Sequence, residues 1–212
     1  EVQKTSRVWF EECLKEELLE KWRELRESEG LNIQEYERVV DVQGQKDNFV
    51  VKTSSGEYPT RRVFLCMGKS GNPRKLGVPG EKEHGARIQH KLLDPDDFTG
   101  KNIIVIGGGD VACEAVIALA ADESNTVTMS AIDKEFVYPK QRNIEKVRAL
   151  EAEGKLRVEL SSKVTGFGQD SVTLVLGDGS TEEVPYDSAF EMIGAELPIP
   201  FFNKVGIKLA NS

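Results

Sequence analysis

Apolar positions Phe10, Cys13, Leu14, Leu18, Leu19 and Trp22 recur at helical spacing and Gly30 follows as a stop, so residues 10–26 predict one amphipathic helix. Residues 32–42 and 48–53 have strand character, and Ser54-Ser55-Gly56-Glu57 supplies turn chemistry after them. An apolar strand is expected over 62–67, ending at Gly68, and Gly71-Asn72-Pro73 then breaks regularity. Residues 74–100, rich in Gly, Pro, Asp and His, predict a connection into a second domain that begins near residue 85.

The second domain opens with a continuous apolar strand over 101–106, a turn at Gly107-Gly108-Gly109, and a helix over 110–121 with Ala112, Ala115, Val116 and Leu119 facing inward. A strand over 126–132 and a helix through Ile144, Val147 and Leu150 come next, the latter stopping at Gly154. A strand over 156–160 precedes alternation at Val172, Leu174 and Leu176, and Gly177-Asp178-Gly179 closes a hairpin that returns through 181–186. The last strand, 188–193, ends at Gly194.

The two halves echo one another. Residues 30–68 and 154–194 each run from a glycine that ends a helix, through a strand and a glycine-turned hairpin, to Met67-Gly68 before Pro73 or Ile193-Gly194 before Pro198. The second half starts with a strand, a glycine loop and a helix, whereas the first has no counterpart to that loop. With no Met at position 1, the expectation is a chain cut from something longer.

Composition narrows the classes. Apolar residues make up 39% of the 212, enough for an ordinary core, and no apolar run approaches the roughly 18 to 20 residues of a membrane helix. A net charge of -8 argues against nucleic acid as partner. Three well-separated cysteines without a CxxC pair suit free thiols in a reducing cytoplasm, and no metal site is expected. His90 is open between a group near a cofactor and a polar residue of the connector, and neither it nor His84 stands in a nucleophile context.

Chemistry concentrates at Gly107-x-Gly109-x-x-Ala112. The first glycine permits a tight turn, the second lets backbone approach a pyrophosphate, and Ala112 allows close helix–strand packing. Gly108, Asp110 and Val111 complete the loop and the first helical turn, whose free N–H groups and dipole suit phosphate. Asp133, after the next strand, is the candidate acid for a ribose hydroxyl. No cation stands at Ala131, Ile132 or Asp133, and an anion there repels a 2′-phosphate, so the choice leans to NADH over NADPH. Gly68 and Gly194, at strand ends, are further candidates to lie near a cofactor.

Three runs carry a resemblance: Val63-Phe64-Leu65-Cys66-Met67-Gly68, Asn72-Pro73-Arg74-Lys75-Leu76-Gly77-Val78-Pro79-Gly80-Glu81, and Lys101-Asn102-Ile103-Ile104-Val105-Ile106-Gly107-Gly108-Gly109-Asp110. Together they resemble the thioredoxin-reductase-like flavoproteins of the pyridine nucleotide-disulfide oxidoreductase superfamily. The resemblance implies an α/β fold: a Rossmann-type three-layer NAD(P)H-binding domain with a β-meander at 85–195, a partial FAD-type domain at 1–84, and a return toward the latter at 196–212. It implies hydride passing from NAD(P)H to FAD in the complete protein and electrons passing on to a small electron carrier or redox protein, with no side chain needed as acid or base. It leaves a homodimer open. The family's CxxC is replaced by Ile88-Gln89-His90-Lys91-Leu92, which removes the dithiol route to thioredoxin.

Two other readings stay open: a non-enzymatic NAD(H)-binding sensor or scaffold that has lost FAD, and an S-adenosylmethionine-dependent methyltransferase. Against the latter, Val105 stands where that loop has an acid, and the doubled organisation has no place in it.

Overall fold

The computed structural model describes residues 6–11, 13–68 and 71–207; the outermost residues of the first and last expected domains lie outside these. Contacts divide the chain into two compact units, Glu1–Leu65 with Pro200–Ser212, and Cys66–Ile199.

In the smaller unit, helix α1 covers Lys15–Ser28. It starts later than the periodicity of residues 10–26 suggests, because the Glu17 carboxylate accepts the Leu14 N–H at 2.9 Å and closes the first turn there. Gly30, at φ 59°, ends it, and the Leu31 N–H returns to the Arg26 carbonyl at 3.0 Å. Strands β1 (Val39–Gln45), β2 (Asn48–Thr53) and β3 (Glu57–Thr60) form an antiparallel meander in chain order. The expected strand at 32–42 is realised only from Val39. The apolar run 62–67 is not a strand: it pairs with no neighbour, and Phe64 and Met67 are exposed. Among the described residues of this unit none is buried, so its apolar side chains do not close a core of their own.

The larger unit has three layers. Its central sheet is parallel, in the order β4 (Ile88–Gln89), β11 (Ser188–Glu191), β5 (Asn102–Ile106), β6 (Thr126–Ser130), β7 (Leu156–Glu159). Alternation along β5 decides what each face packs. Ile103 and Val105 point to helices α2 (Asp110–Leu119) and α3 (Gln141–Ala152), against Ala112, Val116, Leu119 and Val147. Ile104 and Ile106 point the other way, to the antiparallel layer β8 (Lys163–Phe167), β9 (Ser171–Val175) and β10 (Thr181–Pro185), meeting Val164, Val172, Leu174 and Tyr186. This is the α/β, Rossmann-type three-layer architecture with a β-meander. The inward residues expected on α2 are all buried.

Two strands of this unit escape the pattern. β4 has only two residues, and β8 carries a register shift between Val164 and Gly166 that spoils its alternation. The connector before β4 is ordered against the meander: Leu76 and Val78 join its core, and the Phe167 N–H bonds the Pro79 carbonyl at 2.9 Å. A short helix α4 covers Ile199–Lys204, within the segment for which the expectation is a return toward the first domain and no element is named.

Candidate functional site

The chain leaves β5 through α2 toward β6, and later returns through the meander to β11 on the other side of β5. That reversal makes the carboxyl ends of β5 and β11 the topological switch point of the sheet, the place where open α/β sheets take ligands.

Gly107 follows β5 directly. Its φ is 142°, its N–H donates to the Ser130 carbonyl at 2.9 Å, and a Cβ built on it would stand 2.4 Å from the Met192 carbonyl oxygen. Glycine is therefore required by the protein itself. At Gly108 a Cβ would meet the Ala131 methyl at 3.2 Å and Asp133 Oδ2 at 3.8 Å, so the Asp133 carboxylate lies beside the loop. Gly109 caps α2 with an ordinary φ of -95°, and a Cβ there would meet no protein atom within 4 Å. The protein leaves that side of the loop open.

The first helical bond of α2 runs from the Cys113 N–H to the Gly109 carbonyl at 3.1 Å, which leaves the N–H groups of Asp110, Val111 and Ala112 without intrahelical acceptors. Ala112 is fully buried, 3.4 Å from the Cβ position of Gly107, whereas Val111 is exposed. Free N–H groups, a helix dipole and an open glycine face together suit a pyrophosphate. Asp110 turns elsewhere: its Oδ1 accepts the Lys140 N–H at 2.7 Å and Asn143 Nδ2 at 2.9 Å, tying α2 to the start of α3. Those bonds, the Lys140 backbone N–H foremost, hold its carboxyl below the usual range.

Asp133 is held by its own backbone, whose carbonyl accepts the Ser161 N–H at 2.9 Å. Gly194, at φ 93°, accepts the Arg74 N–H at 3.1 Å, and Ala195 bridges Pro73. The structure thus brings the two echoing segments after Gly68 and Gly194 side by side. Gly68 has φ 60° and open surroundings.

One polar group at the same end of the sheet was not singled out by its residue pattern. Glu191, the last residue of β11, is 1% exposed, and neither carboxylate oxygen accepts a hydrogen bond of ordinary geometry. Burial, then the negative Glu81, push its carboxyl up to about 7, against weaker opposing pulls from the Leu76 N–H and Lys75. His90 Nδ1, also unpartnered, is 3.7 Å from Glu191 Oε2. An acid inside the apolar run Ser188-Ala189-Phe190-Glu191-Met192-Ile193 is the signal that marks it. Among the cysteines, Cys13 and Cys66 are exposed, and burial pushes the Cys113 thiol up to about 11.

A model of the pyridine nucleotide-disulphide oxidoreductase family matches residues 2–212. The chain belongs to this family. Among its relatives is a ferredoxin–NADP reductase of Ignicoccus hospitalis, 26% identical over 196 residues, covering 91% of this chain and 63% of that protein. A thioredoxin reductase of Bacillus subtilis is 32% identical over 179 residues, covering 75% of this chain and 54% of the relative. The fold matches the bacillithiol disulfide reductase of Staphylococcus aureus with a TM-score of 0.88 at 20% identity, over all of this chain and 67% of the other. The chain thus spans a little under two thirds of the Ignicoccus relative. Among the described residues no helix is long and apolar enough to cross a membrane.

Proposed function

We propose that the glycine loop of the larger unit binds the pyrophosphate of NADH or NADPH, and that the chain is the NAD(P)H-binding portion of a flavin-dependent oxidoreductase. In this reading residues 85–195 are the NAD(P)H domain, 1–84 part of an FAD-type domain, and 196–212 the return to it. FAD in the complete protein supplies the hydride-accepting chemistry, and a small electron carrier or redox protein receives the electrons. The observation that carries the reading is the open face of Gly109 at the start of α2, with Asp133 beside Gly108. The lack of a buried residue among those described in the smaller unit accords with an incomplete FAD-type domain.

The roles divide by residue. Gly107 shapes the turn, Gly109 admits the phosphates, Val111 and Ala112 offer N–H groups, and Asp133 accepts from a ribose hydroxyl. Asp110 acts by fixing the loop to α3. Gly68 and Gly194 flank the paired segments that lead toward the flavin part.

Titration of the protein with NADH by calorimetry should saturate, and silence with both NADH and NADPH at millimolar concentration would sink the reading. Gly109→Ala should leave the melting temperature unchanged, since its Cβ meets no protein atom, yet weaken NADH at least tenfold by blocking phosphate approach. An unaltered dissociation constant would place the dinucleotide elsewhere.

Several relatives are named for NADP, so Asp133 is where this chain is proposed to depart from them. The protein should hold NADH more tightly than NADPH. Asp133→Ala should cost about 1.5 kcal/mol or more of NADH binding, the value of a hydrogen bond to a charged group, without weakening NADPH. Equal losses for both cofactors would reject the assignment.

A further inference from the structure

Glu191 is aligned in the sheet with Ile106, the residue before Gly107, and Met192 is the residue whose carbonyl presses on Gly107. Neighbouring strands lie about 4.8 Å apart, so the Glu191 backbone runs one strand spacing from the backbone that enters the phosphate loop. Its side chain lies on the meander side of the sheet, the side of Ala189, opposite Phe190. His90 follows Gln89, which pairs with Phe190, and so stands at the same carboxyl end. The charged groups acting on Glu191 are Glu81 and Lys75 from the connector and His90 from the end of β4. Glu81 is itself engaged, accepting the Gly77 and Val78 N–H groups.

A buried carboxyl that accepts no hydrogen bond of ordinary geometry and feels only the weaker pull of the Leu76 N–H, facing an imidazole nitrogen that lacks a partner, is a costly arrangement for a folded protein to keep empty of protons. A proton placed on Glu191 removes the bare charge. We propose that Glu191, facing His90, is a proton-holding group coupled to the glycine loop, so that binding of the dinucleotide draws a proton onto its carboxyl. The coupling rests on the dinucleotide reading above. Its sign is set by charge: the pyrophosphate is anionic, and an anion arriving near a poorly solvated carboxylate favours the protonated form. Glu191 changes its proton occupancy near neutral pH, where a small added potential has its largest effect. No covalent or redox step is involved; a fraction of a proton per site moves from solvent to Glu191 on binding and returns on release.

Calorimetry of NADH binding in two buffers of different ionisation enthalpy, repeated from pH 6 to pH 8, tests this. NADH is the probe because it lacks the 2′-phosphate, which titrates in the same range. The unaltered protein should take up a fraction of a proton per site, greatest near pH 7, and its dissociation constant should rise roughly fivefold from pH 6 to pH 8, the low end of coupling between sites. Glu191→Gln should bind NADH with no such uptake and a flat pH profile. If that variant does not fold, His90→Gln, at a position partly open to solvent, should move the pH of greatest uptake. Saturable binding without proton uptake, or uptake unchanged in both variants, overturns the coupling while leaving the dinucleotide reading intact. Failure of NADH and NADPH to bind at all overturns both.

Discussion

Gly107→Ala is expected to destabilise the protein by about 3 to 5 kcal/mol and to abolish NADH binding. The φ of 142° lies where an L side chain is strained, a cost of about 1 to 3 kcal/mol. The added Cβ would also stand 2.4 Å from the Met192 carbonyl oxygen and 2.9 Å from its carbon. Backbone cannot yield as a flexible side chain does, and here it is pinned: the Met192 N–H donates to the Ile106 carbonyl at 2.8 Å, and the Gly107 N–H donates to Ser130 at 2.9 Å. Relief of the clash would pull β11 from β5 or Gly107 from the end of β6, adding an overpacking cost of about 1 to 3 kcal/mol. A thermal scan should show a fall of roughly 10 °C. The comparison with Gly109→Ala is the sharper measure, because both variants remove a loop glycine and only one should lose stability. Equal melting temperatures for the two would refute the steric account.

That contrast also shows how far the pattern of residues could be read. The spacing Gly107-x-Gly109-x-x-Ala112 between a strand and a helix locates the loop, but it treats its glycines alike. Only the three-dimensional neighbours reveal that Gly107 answers to Met192, a residue 85 positions away, while Gly109 answers to nothing in the protein. Long, regularly patterned elements such as β5, α2 and α3 were predictable because each buries a whole face. β4 escaped because two residues make no pattern, and β8 because its bulge breaks one. The run 62–67 errs in the other direction: its apolar character suits a strand, yet strand formation needs a partner. The echo between the halves was visible as spacing alone, and the bridge between Pro73 and Ala195 gives it a physical meeting point. Glu191 was hidden by its surroundings, since a single acid among apolar residues does not alter the strand assignment although it alters the chemistry.

Glu191 also makes stability depend on pH in a direction unusual for a carboxylate. Its carboxyl is raised from the ordinary 4.5 to about 7 by burial and by Glu81. Between these values the native protein holds a proton that the unfolded chain has released, so stability is greatest below about 4.5, falls as pH rises through the interval, and stays low above 7. The full span corresponds to about 3 kcal/mol. Asp110, Asp122 and Asp187 have lowered values and act with the opposite sign, at more acidic pH. Glu191→Gln isolates the effect, because the amide keeps the shape of the acid and never ionises. Whatever the amide itself costs in unmet hydrogen bonds is the same at every pH and cancels when two pH values are compared. Urea unfolding at pH 5 and pH 8 should therefore show the variant gaining about 2 to 3 kcal/mol relative to the unaltered protein between the two. An equal difference at both values would mean that Glu191 ionises in the native protein much as it does in the unfolded chain, despite its burial.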